Sequence, residues 1–300
     1  MRLLTLSCLI PALLALSWGQ LLASDKPPLT TASVLDNAPD SDWQDIADDR
    51  LLVMQVNGGQ VLIELADGFA PAHTANIKQL AKQHYFDGLA IVRVQENYVV
   101  QWGDPDGDSE HPRSLGEAKA KLPAEFDRSG QDLPWQPIPD PDAYAAQTGF
   151  SLGFPVGRDE QRAWLLHCYG MVGAGRGGPA DSSTGAELYV VSGHSPRHLD
   201  RNITLVGRVI EGMPWLTTLP RGTGPLGFYE KPEQRTKIEQ IRLASEMSEA
   251  ERPRRQRLST ESAAFAKVIE ARRFRREDWF VNPVGRIEVC NVPLPVRPSP

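Results

Sequence analysis

Only three cysteines occur among 300 residues, and one of them, Cys8, sits inside an apolar amino-terminal run. The two that remain, Cys168 and Cys290, are too few for a disulfide framework and lack the paired spacing of a zinc site. After that first run no stretch approaches the roughly 18 uninterrupted apolar residues of a membrane helix. Positive charge is not in excess either: the formal net charge is −6, which gives no general attraction for phosphate backbones. The six histidines are scattered without metal-ligand spacing, and neither Gly-x-Ser-x-Gly nor a Cys/His nucleophile pattern occurs. Nucleic-acid binding, metal catalysis and covalent hydrolysis therefore lack support. What the chain does have is glycine and proline, 25 of each, with 41% apolar residues. Proline above its background of about 5% favours turns and extended connections over a helical bundle, so a β-rich fold is expected.

Arg2 precedes the apolar run Leu3–Leu16, and Ser17, Gly19 and Leu21-Leu22-Ala23 follow. Charge, apolar core and small residues in that order read as an export signal over 1–23, cleaved after Ala23, with Cys8 too early for a lipid anchor. The expected location is outside the cytoplasm, periplasmic if the source is Gram-negative. In an oxidising compartment Cys168 and Cys290 form one bridge or remain two buried thiols; the sequence leaves both open. Residues 24–50, rich in Pro, Ser and Asp, read as a flexible leader.

Leu51–Val56 and Gln60–Leu65 are β-type runs around Asn57-Gly58-Gly59, a hairpin signal. Pro71 opens a helix over 73–83 with Ile77, Leu80 and Ala81 on one face. Leu89–Val94 and Tyr98–Gly103 follow as strands; further runs are Trp164–His167, Glu187–Val191, Ile203–Ile210 and Ile238–Leu243. The stretch from about 106 to 163, with Pro134, Pro137, Pro139 and Pro141, reads as a long irregular surface insertion. From 246 to 300 the chain predicts a helix over 260–273, burying Phe265, Val268 and Ile269, and a tail whose Trp279-Phe280-Val281 and Ile287–Cys290 clusters pack back on the domain. Arg272, Arg273, Arg275 and Arg276 lie beside Glu270, Glu277 and Asp278, which suits a solvated, ion-paired face.

Gly173-Ala174-Gly175-Arg176-Gly177-Gly178 satisfies G-x-G-x-x-G but runs into Pro179-Ala180-Asp181, a loop where a nucleotide site needs a helix. Asp104-Pro105-Asp106-Gly107-Asp108 opens like a calcium loop, yet Leu115 stands where a bidentate Glu belongs. What remains is Arg93 within an apolar strand, followed by Tyr98-Val99-x-Gln101-Trp102-Gly103-Asp104 on the next. With Gly59–Leu65, Ala70-Pro71, Tyr85-Phe86-Asp87-Gly88, Leu122-Pro123-Ala124-Glu125-Phe126, Gly185–Tyr189, His198-Leu199-Asp200 and Val206–Val209, the chain from about 51 to 245 resembles the cyclophilin-type peptidyl-prolyl isomerases. That resemblance implies a closed eight-stranded antiparallel β-barrel capped by two helices, here with a loop insertion and a carboxy-terminal helical extension. It implies isomerisation of Xaa-Pro bonds in exported polypeptides, with no cofactor. Arg93 matches the family's catalytic arginine and Gln101 its backbone-binding glutamine. Tyr98, Val99, Tyr189 and Leu199 match the proline pocket, and Glu187, His198 and Ile203 stand at further substrate-contacting positions.

The residue types suit that chemistry. Rotation about an Xaa-Pro bond breaks amide resonance over a barrier of roughly 20 kcal/mol. A fixed guanidinium beside an apolar ring pocket can favour the twisted state over either planar one. Four departures stand out: Ile91-Val92 where the family has Phe-His, Glu187 for a glutamine, Ile203 for a histidine or tyrosine, and Trp102 for a glycine, which is expected to crowd the groove. His198 stands where some members carry the tryptophan associated with cyclosporin binding, so strong inhibition by that drug is not expected. The alternative is a proline-binding module or chaperone with little catalysis. The substrates expected are proline-containing polypeptides, and a monomer is favoured.

Overall fold

A computed structural model describes residues 28–107, 109–194 and 196–300; residues 1–23, read above as an export signal, lie outside these residues. The chain runs through α1 (Thr31–Asp36), β1 (Trp43–Asp45), the hairpin β2 (Leu51–Val56) and β3 (Gly59–Leu65), α2 (Pro71–Lys82), β4 (Ala90–Val94) and β5 (Val99–Gly103). Next come β6 (Arg128–Ser129), β7 (Gln136–Ile138), β8 (Gln147–Ser151), β9 (Phe154–Arg158) and β10 (Arg162–Leu165). Then follow β11 (Met171–Ala174), β12 (Leu188–Val191), β13 (Leu205–Glu211), α3 (Met213–Thr217), β14 (Ile238–Leu243), β15 (Arg255–Leu258), α4 (Ala263–Phe274) and β16 (Val296–Pro298).

Eight strands make the antiparallel barrel, in the order β14-β2-β3-β13-β11-β12-β5-β4. Its two end strands meet through the single bridge Ala90–Lys237, helped by Ile91 N–H to Thr236 O at 2.8 Å, so closure is nearly complete. Alternation sorts each strand: Val100 and Trp102 of β5 enter the barrel core, while Val99 and Gln101 face outward. Trp102 is therefore no obstacle to the groove, because its indole is fully buried inside the barrel. Ile77 and Leu80 of α2 and Leu216 of α3 cap the same core. Pro71 starts α2 as expected, and a remote carboxylate completes its cap: the backbone N–H groups of Ala72 and His73 both donate to Glu125 at 2.9 Å.

The barrel's eighth strand differs from the expected one. Trp164 and Leu165 do lie in a strand, but in a second sheet; the barrel uses Met171–Ala174, whose glycine hides the β pattern. Gly173 is there because a Cβ would lie 2.3 Å from the Tyr189 ring. The insertion is likewise not irregular. It carries β6 to β9, which with β10 form a five-stranded sheet in the order β6-β10-β9-β8-β7. These strands are short and broken by residues of turn type: Pro137 sits on edge strand β7, and Gly149 and Gly157 admit backbone and the Trp164 ring at distances no Cβ would allow.

A second core, including Phe150, Phe154, Trp164, Phe265 and Val268, joins that sheet to α4 and to the chain ends. The stretch expected to be a flexible leader is ordered from Thr30, which caps α1; Val34 is buried and β1 pairs with β15, which in turn pairs with β16. Ser262 caps α4 by accepting from Phe265 N–H at 3.1 Å. The tail packs back through Ile287 and Val289, but Trp279 and Val281 do not: they are 81% and 86% exposed. Cys168 and Cys290 form a disulfide with a Cα separation of 5.0 Å. The arginines near α4 are only partly a solvated face: Arg276 meets Glu270 at 3.8 Å, whereas Arg273 reaches into the insertion to Asp140 at 2.8 Å.

Candidate active site

The candidate groove lies on the outer face of β4, β5 and β12. A bulge in the β4–β5 ladder between Ile91 and Arg93 shifts the register so that Arg93 pairs with Gln101. The Arg93 Nε–H donates to Leu226 O at 2.7 Å, Nη1 to Gln101 Oε1 at 3.1 Å, and Nη2 to Gln95 Oε1. Those bonds use three of the guanidinium's five N–H donors. The cation also sits over two rings, 5.4 Å from the Tyr98 centroid and 5.2 Å from that of Phe228. Partial burial presses its pKa down, with Tyr98 and Glu187 opposing; an arginine titrates so far above neutrality that it stays charged.

Gln101 is buried and oriented from both ends: its oxygen accepts from Arg93, and its Nε2 donates to Glu187 Oε1. Glu187, in place of the family's glutamine, thus fixes which way the amide points. Beside this polar edge is a pocket of about 130 Å³ walled by Tyr98, Val99, Tyr189, Leu199 and Ile203. Ile203 gives it an apolar wall where a polar ring was the family norm. His198 is exposed and stacks on Tyr98, ring centroids 6.2 Å apart and planes at 9°. Eight of the nine candidates therefore line one groove, and His198 reaches it only through Tyr98.

Several partners were invisible in the sequence. Leu226, Gln95 and Phe228 hold Arg93, and Gly175 and Arg176, from the rejected G-x-G-x-x-G run, line the groove. Behind the pocket, the Tyr189 hydroxyl bonds His167 Nε2 at 2.8 Å, and His167 Nδ1 bonds Asp200 Oδ1 at 2.9 Å. Asp200 can only accept, so Nδ1 carries the proton and Nε2 accepts from the phenol. Burial pushes the His167 pKa down, opposed by Asp200, and pushes that of Tyr189 up. The Asp200 in His198-Leu199-Asp200 was the one available signal for this network.

Barrel, outward arginine and apolar pocket together define a cyclophilin-like barrel protein. The family pattern described as "Cyclophilin type peptidyl-prolyl cis-trans isomerase/CLD" matches residues 51–243, and the chain belongs to that family. It is similar to peptidyl-prolyl cis-trans isomerase ppi1 of Schizosaccharomyces pombe, 43% identical over 54 residues, which cover 18% of this chain and 35% of that relative. The chain thus spans about a third of that relative's length. Peptidyl-prolyl cis-trans isomerase-like 1 of Gibberella zeae is 24% identical over 196 residues, covering 65% of this chain and 95% of that one. The crystal structure of cyclophilin AquaCyp293 from Hirschia baltica superposes with a TM-score of 0.68 over 90% of this chain and 98% of that one; at 24% identity it speaks for the fold.

Proposed function

We propose that this protein catalyses cis-trans isomerisation of Xaa-Pro bonds, on exported polypeptides, with Arg93 as the catalytic group. The observation that carries this reading is a guanidinium clamped at three donors and by two rings beside a proline-sized apolar pocket. The pocket takes the proline ring and excludes water. As the amide twists, its proline nitrogen becomes pyramidal and electron-rich, and the donors Arg93 retains bond to that state better than to either planar ground state. Because the cation is held beforehand, little reorganisation opposes the step. Gln101 holds the substrate backbone so that rotation is confined to one side of the bond. Export is supported by the amino-terminal pattern and by the Cys168–Cys290 disulfide, which persists where thiols are not kept reduced.

A binding module with weak catalysis is the second reading, favoured by Glu187 and Ile203. Exchange spectroscopy on a short Ala-Xaa-Pro peptide, run beside affinity measurement, separates them. The enzyme reading expects cis-trans exchange well above the spontaneous rate of tens of seconds or slower. Saturable binding without faster exchange overturns it in favour of the binder.

A further inference from the structure

A second cavity, about 630 Å³, opens next to the proline pocket, between the additions and loops of the family domain. Its walls come from the insertion (Asp142, Tyr144), from the loop around His194, and from Glu288 in the tail, which lies beyond the family match at 51–243. The partition between cavity and pocket is thin. On the one-turn helix Arg197–Leu199, Leu199 lines the pocket and Arg197 lines the cavity. The His194 backbone N–H donates to Asn97 Oδ1 at 2.6 Å, next to Tyr98 of the pocket wall.

The cavity is built to stay open. Arg197, only 4% exposed, makes a two-pronged pair with Asp142 at 3.0 and 3.1 Å, and the Cys168–Cys290 disulfide fixes the tail. Arg197 is also met by Asp200 at 2.5 Å and Glu288 at 3.5 Å. Asp142, Asp200 and Glu288 all face this one guanidinium; burial pushes the Glu288 pKa up, and its carboxylate remains 46% exposed. Two exposed tyrosines edge the opening, Tyr144 at 57% and Tyr169 at 53%. Tyrosine supplies contact area at low entropic cost and is enriched where proteins meet partners.

We infer that this cavity binds the flank of the same polypeptide whose proline occupies the neighbouring pocket, and that it selects flanks carrying lysine or arginine. This rests on the proline-pocket reading above. An extended chain advances about 3.4 Å per residue, so a basic side chain a few positions from the proline spans the one-turn helix. Its cation meets the Glu288 carboxylate, with Asp142 and Asp200 behind it, and its aliphatic stem lies against the tyrosine rings. The added lobe then acts as a selector of substrates joined to a family barrel.

The test uses the full chain and three peptides with one Ala-Xaa-Pro core: a short one, and two 12-residue forms flanked on both sides by lysines or by glutamates. Affinity from NMR titration decides the inference; cis-trans exchange of the short peptide decides the reading on which it rests. The lysine-flanked peptide is expected to bind about tenfold tighter than the short one and the glutamate-flanked one no tighter. Shift changes should extend to His194 and Tyr144, and Glu288→Gln together with Tyr144→Ala should remove the gain. Equal affinity for lysine and glutamate flanks overturns the inference even if the short peptide is isomerised. So does a dimer seen by sedimentation that closes the cavity with a second copy of the chain.

Discussion

The barrel and the added lobe are held together by different means. In the barrel, eight strands join edge to edge through antiparallel backbone ladders, several of them bulged, and the groove residues are placed by alternation along β5 and β12. In the lobe the short strands of the insertion meet α4 and both ends of the chain, and what joins them is remote in sequence. β1 pairs with β15, Arg273 reaches Asp140, and Cys168 is bonded to Cys290 across a separation of 122 residues. The comparison teaches that the chemistry resides in a frame fixed by backbone pairing, while the lobe depends on a few cross-links that can be cut singly.

Cutting the largest of these sharpens the contrast most. Cys168→Ser with Cys290→Ser should lower stability by about 2–4 kcal/mol, since the closed loop is long. Denaturant unfolding reads that loss, and exchange of a short Xaa-Pro peptide should stay within about twofold of wild type because no groove hydrogen bond is lost. Gly173→Ala should do the reverse damage. Its Cβ would lie 2.3 Å from a Tyr189 ring that is buried and tied to His167, so the pocket wall must shift. A cost of about 1–3 kcal/mol is expected, with a clear drop in exchange rate.

How much of this was legible follows the same division. The hairpin, α2, β4, β5 and α4 carried their periods openly, and the groove residues stood in an ordered series. β11 was concealed because Gly173 answers to a ring across the sheet rather than to strand propensity. The insertion strands were concealed because Pro137, Gly149 and Gly157 are turn residues used for edge position and close approach. Trp102 was assigned to the groove although its place in the alternation of β5 sends it inward. Leu226 and Gln95 carry no local sign of holding Arg93, since one acts through a backbone carbonyl and the other from a turn. The exposed Trp279 and Val281 show that an apolar cluster in a tail need not be buried.

His167 joins the two regions, and pH reads it. Burial keeps its folded pKa below the usual value, so below about pH 6.5 the unfolded chain binds a proton that the folded chain resists. Stability should therefore fall as pH drops from 7 to 5, by at most about 1.4 kcal/mol per pH unit from this group. A second loss follows at lower pH. The Arg273 hydrogen bonds, outweighing burial, hold Asp140 below the usual carboxylate range, so its contribution, complete above about pH 4, is lost as pH falls through that depressed value. Melting temperature against pH checks both stages. The smallest effect expected is that of Trp279→Ser: with the indole 81% exposed, stability should change by less than about 0.5 kcal/mol in calorimetry.

The central claim is that the clamped guanidinium of Arg93 stabilises the twisted amide. NMR exchange of a short Xaa-Pro peptide, with wild type, Arg93→Lys and Arg93→Ala at matched concentration, tests it most directly. The account predicts a loss of about 100-fold or more for Arg93→Ala and a substantial loss for Arg93→Lys, which keeps the charge without the fork, while peptide affinity changes far less. Exchange as fast in Arg93→Ala as in wild type, with the fold intact, would contradict it.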